Sequence, residues 1–215
     1  MAVTDVTVMK SRLSPGRSAL VVIDMQNDFV SERGKMAEFG FEIGCVRDSI
    51  RPMLQILQTA RSLSYPIIHT CMINEVEQNP LSYHAFWGQP AIAIRGSWGA
   101  EHIEEMRPIP GETVLTKYTY GAFIGTNLDT ILRRKGVETL IVVGTDVNIC
   151  AGDTLHQAFA LGYNVIAVSD CLQCFSRKGR QHAEQLRQMG MYLIENHFGS
   201  VIPSAELLEL MRHAM

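Results

Sequence analysis

Short apolar runs rich in β-branched residues recur along the chain, separated by segments in which apolar residues follow helical spacing. The nearly continuous apolar character of each run is typical of a strand covered on both faces, and therefore of a parallel sheet. The alternation predicts an α/β fold in three layers, α/β/α, with a six-stranded, mostly parallel sheet in the middle. The predicted strands are "ALVVID" (19–24), "YPIIHT" (65–70), "TVLT" (113–116), "TLIVVG" (139–144), "NVIAVSD" (164–170) and "MYLIE" (191–195).

The helical segments lie between these runs. We expect Pro52 in the first turn of its helix, because a proline in the interior would remove a backbone hydrogen bond. We also expect Thr126 to cap the start of the second helix. The predicted helices cover 53–60, 128–132, 150–161, about 178–189 and 204–213.

Residues 72–112 break the alternation. This stretch contains both tryptophans, Trp87 and Trp98, together with four prolines, and its periodicity is weak. A connection of this length in a compact domain is usually functional. We therefore expect a lid over a binding site or a contact between subunits.

Composition narrows the classes of protein that the chain can belong to. Its 215 residues are 47% hydrophobic, enough for a two-sided core, and they show no linker or repeat, so we expect a single domain over 1–215. The net charge is −3, with basic and acidic residues mixed along the chain, which argues against a nucleic-acid partner. No apolar run reaches the roughly 18 residues that span a bilayer, so no membrane partner is expected.

The cysteines and the first 20 residues point to a cytoplasmic location. Five cysteines are an odd number in a chain of this length, which favours free thiols over a disulfide framework. The first 20 residues lack the apolar region and cleavage site of a signal peptide. The CxxC spacing of Cys171 and Cys174 lacks the second pair that a zinc site would need.

Three polar residues follow predicted strands and carry the candidate chemistry. Cys150 opens a helix in "VVGTDVNICAGDT", where unpaired N–H groups and the helix dipole favour a thiolate and can bind an oxyanion. Asp24 ends the first strand and Lys117 ends the third. If these strands are parallel, the three side chains meet at one edge of the sheet, where a carboxylate can take the thiol proton and an ammonium can stabilise both anions.

Each of these residues also has a structural interpretation. Taken alone, a cysteine is more often buried and inert. An aspartate after a strand is more often a turn or helix cap, and a lysine is more often simply exposed. The catalytic hypothesis depends on the three occurring together.

Two longer segments resemble the isochorismatase-like cysteine hydrolase superfamily, which includes nicotinamidases, N-carbamoylsarcosine amidohydrolase, ureidoacrylate and biuret hydrolases, and isochorismatase. They are "ALVVIDMQNDF" and the stretch from "TKYTYGAF" to "AVSDC", linked by "RGSWGAEHIEEMRPIPGE". The resemblance covers about residues 18–205 and implies a Rossmann-like fold and a homo-oligomer, a dimer or tetramer. It also implies a catalytic triad of Asp24, Lys117 and Cys150.

The resemblance carries further expectations for the site. The family's oxyanion hole uses the backbone N–H groups of the cysteine and of the residue four positions earlier, here Asp146, after a cis peptide, here Thr145-Asp146. An acidic residue at this position is a departure, because a carboxylate beside the hole would repel developing charge unless it points away, is protonated or binds a donor on the substrate. Nicotinamidases resemble one another in an Asp-x-His metal site after the second strand, which "HTCMINEVEQNPLSYH" lacks. We therefore expect no metal and no cofactor.

Substrate contacts are predicted from position near the mouth of the site. Phe29, Trp87 and Tyr118 are candidates to line the pocket around a small planar substrate, and Trp98 is a further candidate. A substrate carboxylate could pair with an arginine, although a solvated surface residue is the simpler interpretation for each candidate. The three candidates are Arg33, Arg95 and Arg177.

The expected function is that of a metal-independent cysteine amidohydrolase. It would cleave the C–N bond of a small amide or ureido compound through a thioester and release ammonia. Vinyl ether hydrolysis of the isochorismatase type is an alternative, but true isochorismatases typically lack the cysteine. A non-catalytic binding module on the same fold is the third interpretation.

Overall fold

The computed structural model describes residues 12–88 and 91–213, and its centre is one parallel sheet. The strand order is β3-β2-β1-β4-β5-β6, and every neighbouring pair is parallel. The strands are β1 Ser18–Ile23, β2 Ile67–Met72, β3 Thr113–Lys117, β4 Thr139–Thr145, β5 Asn164–Gln173 and β6 Ser200–Ile202.

Helices cover both faces of this sheet. Short 3-10 turns at Trp98–Ala100 and Glu104–Met106 interrupt the long connection between β2 and β3. The α-helices in the described residues are α1 Asn27–Val30, α2 Lys35–Glu38, α3 Gly44–Asp48, α4 Ile50–Ser62, α5 Leu81–Trp87, α6 Leu128–Arg134, α7 Cys150–Ala160, α8 Arg180–His197 and α9 Ser204–His213.

Alternating residues of the strands face two separate cores. In β1, Leu20 and Val22 pack against α4 and α9, whereas Val21 and Ile23 pack against α6, α7 and α8. All six residues of β1 are buried, as the apolar run predicts for a central parallel strand. The three-layer α/β/α prediction is confirmed, and the sheet is wholly parallel.

The strand order places the site. From β1, the chain first adds β2 and β3 on one side of the sheet and then returns to add β4, β5 and β6 on the other. The switch point therefore lies between β1 and β4, and open α/β sheets bind ligands outside the carboxyl ends of the strands at such a point. Asp24 follows β1 and Cys150 follows the turn after β4. Both therefore lie at the carboxyl edge of the sheet, beside the switch point.

One predicted strand is wrong. Residues 191–195, "MYLIE", belong to α8, and the sixth strand is Ser200–Ile202, paired with β5. Met191 and Ile194 are buried while Tyr192 and Leu193 are exposed, which is helical spacing, three residues apart. A short apolar run has no period of its own, and here the helix predicted over about 178–189 continues through it to His197.

Two local predictions about helix starts agree with the structure. Pro52 is the third residue of α4 and so lies in its first turn. The Thr126 hydroxyl accepts a hydrogen bond from the backbone N–H of Leu128, the first residue of α6. None of the helices in the described part of the chain combines the length and apolar character that crossing a bilayer requires.

Candidate active site

Asp24 and Lys117 form a buried ion pair at the carboxyl edge of the sheet. Lys117 Nζ lies 2.7 Å from Asp24 Oδ2, and the two side chains are 0% and 2% exposed. Strand β2 lies between β1 and β3, so the lysine reaches across it, and its ammonium passes 3.8 Å from Met72 Sδ. An ion pair this deeply buried requires its partners to compensate each other.

Thr70 holds the aspartate in place. Its hydroxyl donates to Asp24 Oδ1 at 2.6 Å and accepts from the Asp24 backbone N–H at 3.1 Å. Asp24 has φ 49°, in the left-handed region that turns the chain sharply after β1. Sequence reasoning missed Thr70, although a hydroxyl residue inside the buried run of β2 is the kind of signal that could have revealed it.

Lys117 remains an ammonium in this environment. Burial lowers its pKa, but attraction to Asp24 and to Cys150 outweighs burial, so the pKa lies above its usual value. The ammonium also donates to the carbonyl oxygen of Thr119 at 3.2 Å. The site therefore contains a fixed positive charge next to the thiol.

Cys150 begins α7 and lines the same cavity as Asp24, close enough to the ion pair that Asp24 and Lys117 both shift the pKa of its thiol. Burial raises the pKa of this thiol; Lys117 lowers it, and Asp24 raises it further. The direction is opposite to the one expected from a helix N-terminus alone, because desolvation of the thiolate outweighs the helix dipole and the lysine. The direction of this shift favours the protonated thiol, which lies in the same cavity as the Asp24 carboxylate.

The turn before α7 presents two backbone N–H groups. The peptide Thr145-Asp146 is cis, as the resemblance implied. The carbonyl oxygen of Asp146 accepts from Ile149 and Ala151, whereas the N–H groups of Asp146 and Cys150 have no acceptor among the residues that the structure describes. Two free donors beside a thiol can stabilise the oxyanion that forms when sulfur adds to a carbonyl.

The Asp146 carboxylate is occupied by backbone donors. Oδ1 accepts from the Asn148 N–H at 2.7 Å and Oδ2 from the Phe175 N–H at 2.8 Å. Burial raises the pKa of this carboxyl, and the two N–H groups lower it. Of the possibilities left open by the sequence, the contacts favour a side chain that is held by these backbone N–H groups and connects the turn before α7 to the loop after β5.

A cavity of about 340 Å³ opens above the thiol. Asp24, Thr145 and Cys150 are among its polar lining residues, and the apolar part of the wall is mainly aromatic and methionine side chains. Such a shape suits a small molecule with a few polar groups. The apolar and aromatic lining includes Phe29, Met36, Phe39, Phe41, Met72, Tyr83, Trp87, Tyr120 and Phe175.

The predicted substrate contacts divide into two groups. Phe29 and Trp87 line the cavity, and the Trp87 indole donates to the Tyr120 hydroxyl at 2.5 Å. Tyr118 lies outside the described lining, with its hydroxyl bound by Arg95 at 2.5 Å. The aromatic wall is instead completed by Tyr83 and Tyr120, because the direction of each side chain depends on how the long connection folds over the sheet.

Of the three candidate arginines, only Arg177 lines the cavity. Its guanidinium lies over the Phe41 ring, 4.5 Å from the centroid, and no carboxylate within the described residues forms an ion pair with it. Arg95 is paired with Glu75 at 2.8 Å, and Arg33 lies over the Trp98 ring. Arg177 is therefore the arginine available to an acidic ligand.

The connection between β2 and β3 covers one side of the cavity, in agreement with a lid. Asp28 fixes it through Oδ2, which accepts from the Ala93 N–H at 2.7 Å. The Asn74 amide nitrogen donates to the Ile92 carbonyl, also at 2.7 Å. The part of this segment next to the cavity is therefore anchored to the ends of β1 and β2.

Side chains that could bind a metal are dispersed. Over residues 12–88 and 91–213, no three His, Cys, Asp or Glu side chains come together as metal ligands would. His69, a buried residue of β2, has its Nε2 2.9 Å from Glu112 Oε2, and His84 Nε2 hydrogen-bonds to the Val76 carbonyl oxygen. Neither histidine faces the cavity lining described above.

Comparison with known proteins places this geometry in a family. The sequence profile of the isochorismatase domain matches residues 18–206. Among curated proteins, the ureidoacrylate amidohydrolase RutB of Rhizobium rhizogenes is 26% identical over 205 residues, covering 88% of this chain and 81% of that protein. The RutB protein of Caulobacter segnis is 28% identical over 210 residues, covering 90% and 85%.

Solved structures of related proteins share this fold. A cysteine hydrolase from Pseudomonas syringae pv. phaseolicola, 24% identical, superimposes with a TM-score of 0.83 over 95% of this chain and 96% of that one, which shows the shared fold. The N-carbamoylsarcosine amidase of Thermoplasma acidophilum is 28% identical, with a TM-score of 0.71 over 87% of this chain and 96% of that one. The profile match over most of the chain, together with this fold, shows that the protein belongs to the isochorismatase family of hydrolases.

Proposed function

We propose that this protein is a cysteine amidohydrolase that cleaves the C–N bond of a small amide or ureido compound. The observation that carries the proposal is that Cys150 and Asp24 line one cavity, with Lys117 ion-paired to Asp24 and two backbone N–H groups at the turn before Cys150 without an acceptor in the described residues. The activities for which two relatives are named, ureidoacrylate amidohydrolase and N-carbamoylsarcosine amidase, support cleavage of the same type of bond.

In the first step, Asp24 accepts the thiol proton as the sulfur of Cys150 adds to the substrate carbonyl carbon. The carbonyl oxygen becomes an oxyanion that receives hydrogen bonds from the N–H groups of Asp146 and Cys150. Asp24 then passes its proton to the leaving nitrogen, the C–N bond breaks and ammonia or an amine departs. A thioester remains on Cys150.

Water completes the cycle. Asp24, again a carboxylate, takes a proton from the water molecule as it attacks the thioester, and the same N–H groups stabilise the second oxyanion. The C–S bond breaks, and the released sulfur regains its proton from Asp24. Lys117 stays charged throughout and stabilises the anion that is present at each stage, whether carboxylate or thiolate.

The position of Arg177 in the cavity favours an acidic substrate. Its guanidinium lies at the cavity wall without a carboxylate partner in the described residues, and the Phe41 ring holds it in place. Guanidinium binds a carboxylate through two parallel hydrogen bonds. A ureido acid, with a carbamoyl group at the thiol and a carboxylate at the arginine, fits both features.

Ammonia release from a panel of small amides and ureides tests the proposal. The panel should contain biuret, N-carbamoyl amino acids, ureidoacrylate, maleamate and nicotinamide, with a chelator present throughout. We expect the wild type to release ammonia from at least one ureido acid, and Cys150→Ala and Asp24→Asn to lose that activity. Mass spectrometry of rapidly quenched enzyme should detect the acyl group on Cys150.

Two outcomes would overturn this function. Vinyl ether cleavage that survives Cys150→Ala would point to the isochorismatase-type reaction. No ammonia release from any compound of the panel, together with equal labelling of all five thiols by iodoacetamide, would point to a binding module.

Because burial raises the pKa of Cys150, its alkylation rate should rise steeply with pH, and Lys117→Met should slow alkylation further by removing the charge that lowers this pKa.

A cytoplasmic homo-oligomer of one domain over residues 1–215 remains part of the proposal. All five cysteines are free thiols, which suits a reducing compartment. Met189, Tyr192 and Leu193 give α8 an exposed apolar face that a second copy could cover. Light scattering coupled to size-exclusion chromatography measures the number of copies, and a monomer at micromolar concentration would remove the oligomer from the proposal.

A further inference from the structure

Among the described residues, three buried polar atoms of the cavity lining have no hydrogen-bond partner; one, Asp24 Oδ2, is ion-paired with Lys117, and the other two are uncharged. The uncharged atoms are Asn74 Oδ1 and Thr145 Oγ1, and each residue is only 2% exposed. Both residues line the cavity above Cys150. Buried polar atoms are nearly always hydrogen-bonded, because leaving one unpaired costs the free energy of its desolvation. An unpaired atom in a ligand cavity is therefore a candidate contact for the ligand.

The orientation of the Asn74 amide is determined by its neighbours. Its Nδ2 donates to the Ile92 carbonyl at 2.7 Å, and its backbone N–H donates to the Ala93 carbonyl at 3.0 Å. Reversing the amide would place Oδ1 against the Ile92 carbonyl, where two acceptors would repel each other. Tyr83 lies beside the same amide. Oδ1 is thus a fixed acceptor, and a fixed acceptor can recognise only a donor.

Thr145 lies on the other side of Asp24. Asn74 follows β2 and Thr145 ends β4, and these strands flank β1 in the sheet. Thr145 also directly precedes Asp146, whose N–H is one of the two free donors. A hydroxyl at this point is next to the position of the carbonyl oxygen in the proposed reaction.

We infer that Asn74 Oδ1 accepts an N–H of the substrate's carbamoyl group, and that the Thr145 hydroxyl forms a second hydrogen bond to the same group. The inference rests on the proposed function and names its substrate class as ureido compounds that keep a free N–H at the carbamoyl group. On this inference, Asn74 and Thr145 determine substrate specificity, while Cys150, Asp24 and Lys117 carry out the proposed reaction.

Methylation of the substrate tests the role of Asn74. The three compounds are N-carbamoylglycine, its counterpart methylated on the terminal nitrogen, and N-carbamoylsarcosine, which is methylated on the internal nitrogen. We expect the wild type to discriminate against one methylated compound by about tenfold in kcat/KM, the value of one hydrogen bond. In Asn74→Leu, this discrimination should disappear. If Asn74→Leu keeps the wild-type preference, the inference is overturned.

Binding separates this inference from the proposed function. In the Cys150→Ala background, calorimetry should show that N-carbamoylglycine binds and that Asn74→Leu weakens it by about tenfold. If binding behaves in this way but the wild type hydrolyses none of the three compounds, the proposed function is overturned and the inference is supported. If Cys150→Ala binds none of the three compounds, the ligand class is wrong.

Thr145 offers a matched pair of variants that keep the Asn74–Ile92 hydrogen bond. Thr145→Val removes only the hydroxyl, whereas Thr145→Ser keeps it and removes a methyl group. We expect Val to raise the KM for N-carbamoylglycine by about tenfold and Ser to leave it within about twofold. Equal effects of the two variants would remove Thr145 from the inference. Far-UV circular dichroism verifies that each variant is folded.

Discussion

Lys117 reaches over β2 to place its ammonium 2.7 Å from Asp24, and neither side chain is more than 2% exposed. The two charges compensate each other in a site from which solvent is largely excluded, and both shift the pKa of the proposed nucleophile, Cys150. Removing either charge leaves the other buried without a partner. The ion pair should therefore affect both stability and activity, and a double-mutant cycle can separate the two.

Lys117→Met and Asp24→Asn should each lower the free energy of unfolding by about 3 to 5 kcal/mol, because each leaves one uncompensated buried charge. The double variant should cost clearly less than the sum of the two. Urea denaturation measures all four corners of the cycle. Arg95→Met is the control, since the Arg95–Glu75 pair is exposed and should contribute at most about 1 kcal/mol. Additive losses at Lys117 and Asp24 would contradict a coupled pair.

Asp146→Asn should lower kcat more than it changes KM. The substitution keeps one acceptor oxygen, so one of the N–H groups of Asn148 and Phe175 loses its partner, at a cost of about 1 to 3 kcal/mol. The turn before α7 would then loosen around the N–H of residue 146, one of the two proposed oxyanion donors. Steady-state kinetics on the best panel substrate measures the effect.

Asp170→Asn is the control for the Asp146 prediction. Its carboxylate also binds backbone and side-chain donors, but at Ser204, where α9 begins, away from the cavity. We expect it to lower stability without lowering kcat. A kcat of Asp146→Asn equal to that of the wild type would remove this turn from the mechanism.

Gly144→Ala should be among the most damaging single changes in the chain. Gly144 has φ 119°, and an added Cβ would lie 2.2 Å from the carbonyl oxygen of Ile23. The combined strain and overlap should cost at least about 3 kcal/mol and displace the neighbouring Asp24. Gly162→Ala is the matched control, because Gly162 also has a positive φ, 87°, but open space around it. It should cost only about 1 to 2 kcal/mol in thermal or urea unfolding.

Acid should destabilise the protein through His69. Burial lowers the pKa of this histidine from 6.5 to about 4, although Glu112 opposes the shift. The unfolded chain therefore binds the proton more tightly, so the stability that His69 contributes is present above about pH 6.5 and is lost as the pH falls toward 4. Between pH 7 and pH 5 we expect a loss of about 2 kcal/mol from this residue.

Urea denaturation at the two pH values measures the effect of His69. His69→Gln cannot take up the proton and should lose that much less stability between them. His213→Gln changes an exposed histidine and should behave as the wild type does. If His69→Gln shows the full wild-type loss, other groups dominate the acid response.

The sequence by itself determined the layers of the fold and the edge of the sheet at which the candidate catalytic residues lie. A run such as "ALVVID" has few polar residues because both of its faces are covered, and that property is local. The positions of Asp24, Lys117 and Cys150 at strand and helix ends followed from the same pattern. Where an apolar run lay inside a longer helical period, as at "MYLIE", local composition could not distinguish helix from strand.

Only the tertiary structure decided how side chains meet. Thr70 bonds to Asp24 because β1 and β2 are neighbours, and Asn74 faces the cavity because Ile92 holds its amide nitrogen. Arg177 lines the cavity while Arg95 is paired with Glu75, a distinction that no spacing rule predicts. Burial likewise reversed the expected pKa direction of Cys150. The direction of a side chain, its hydrogen-bond partners and its solvation arise from contacts between residues far apart in the chain, so they exist only once the whole sheet and its covering segments are assembled.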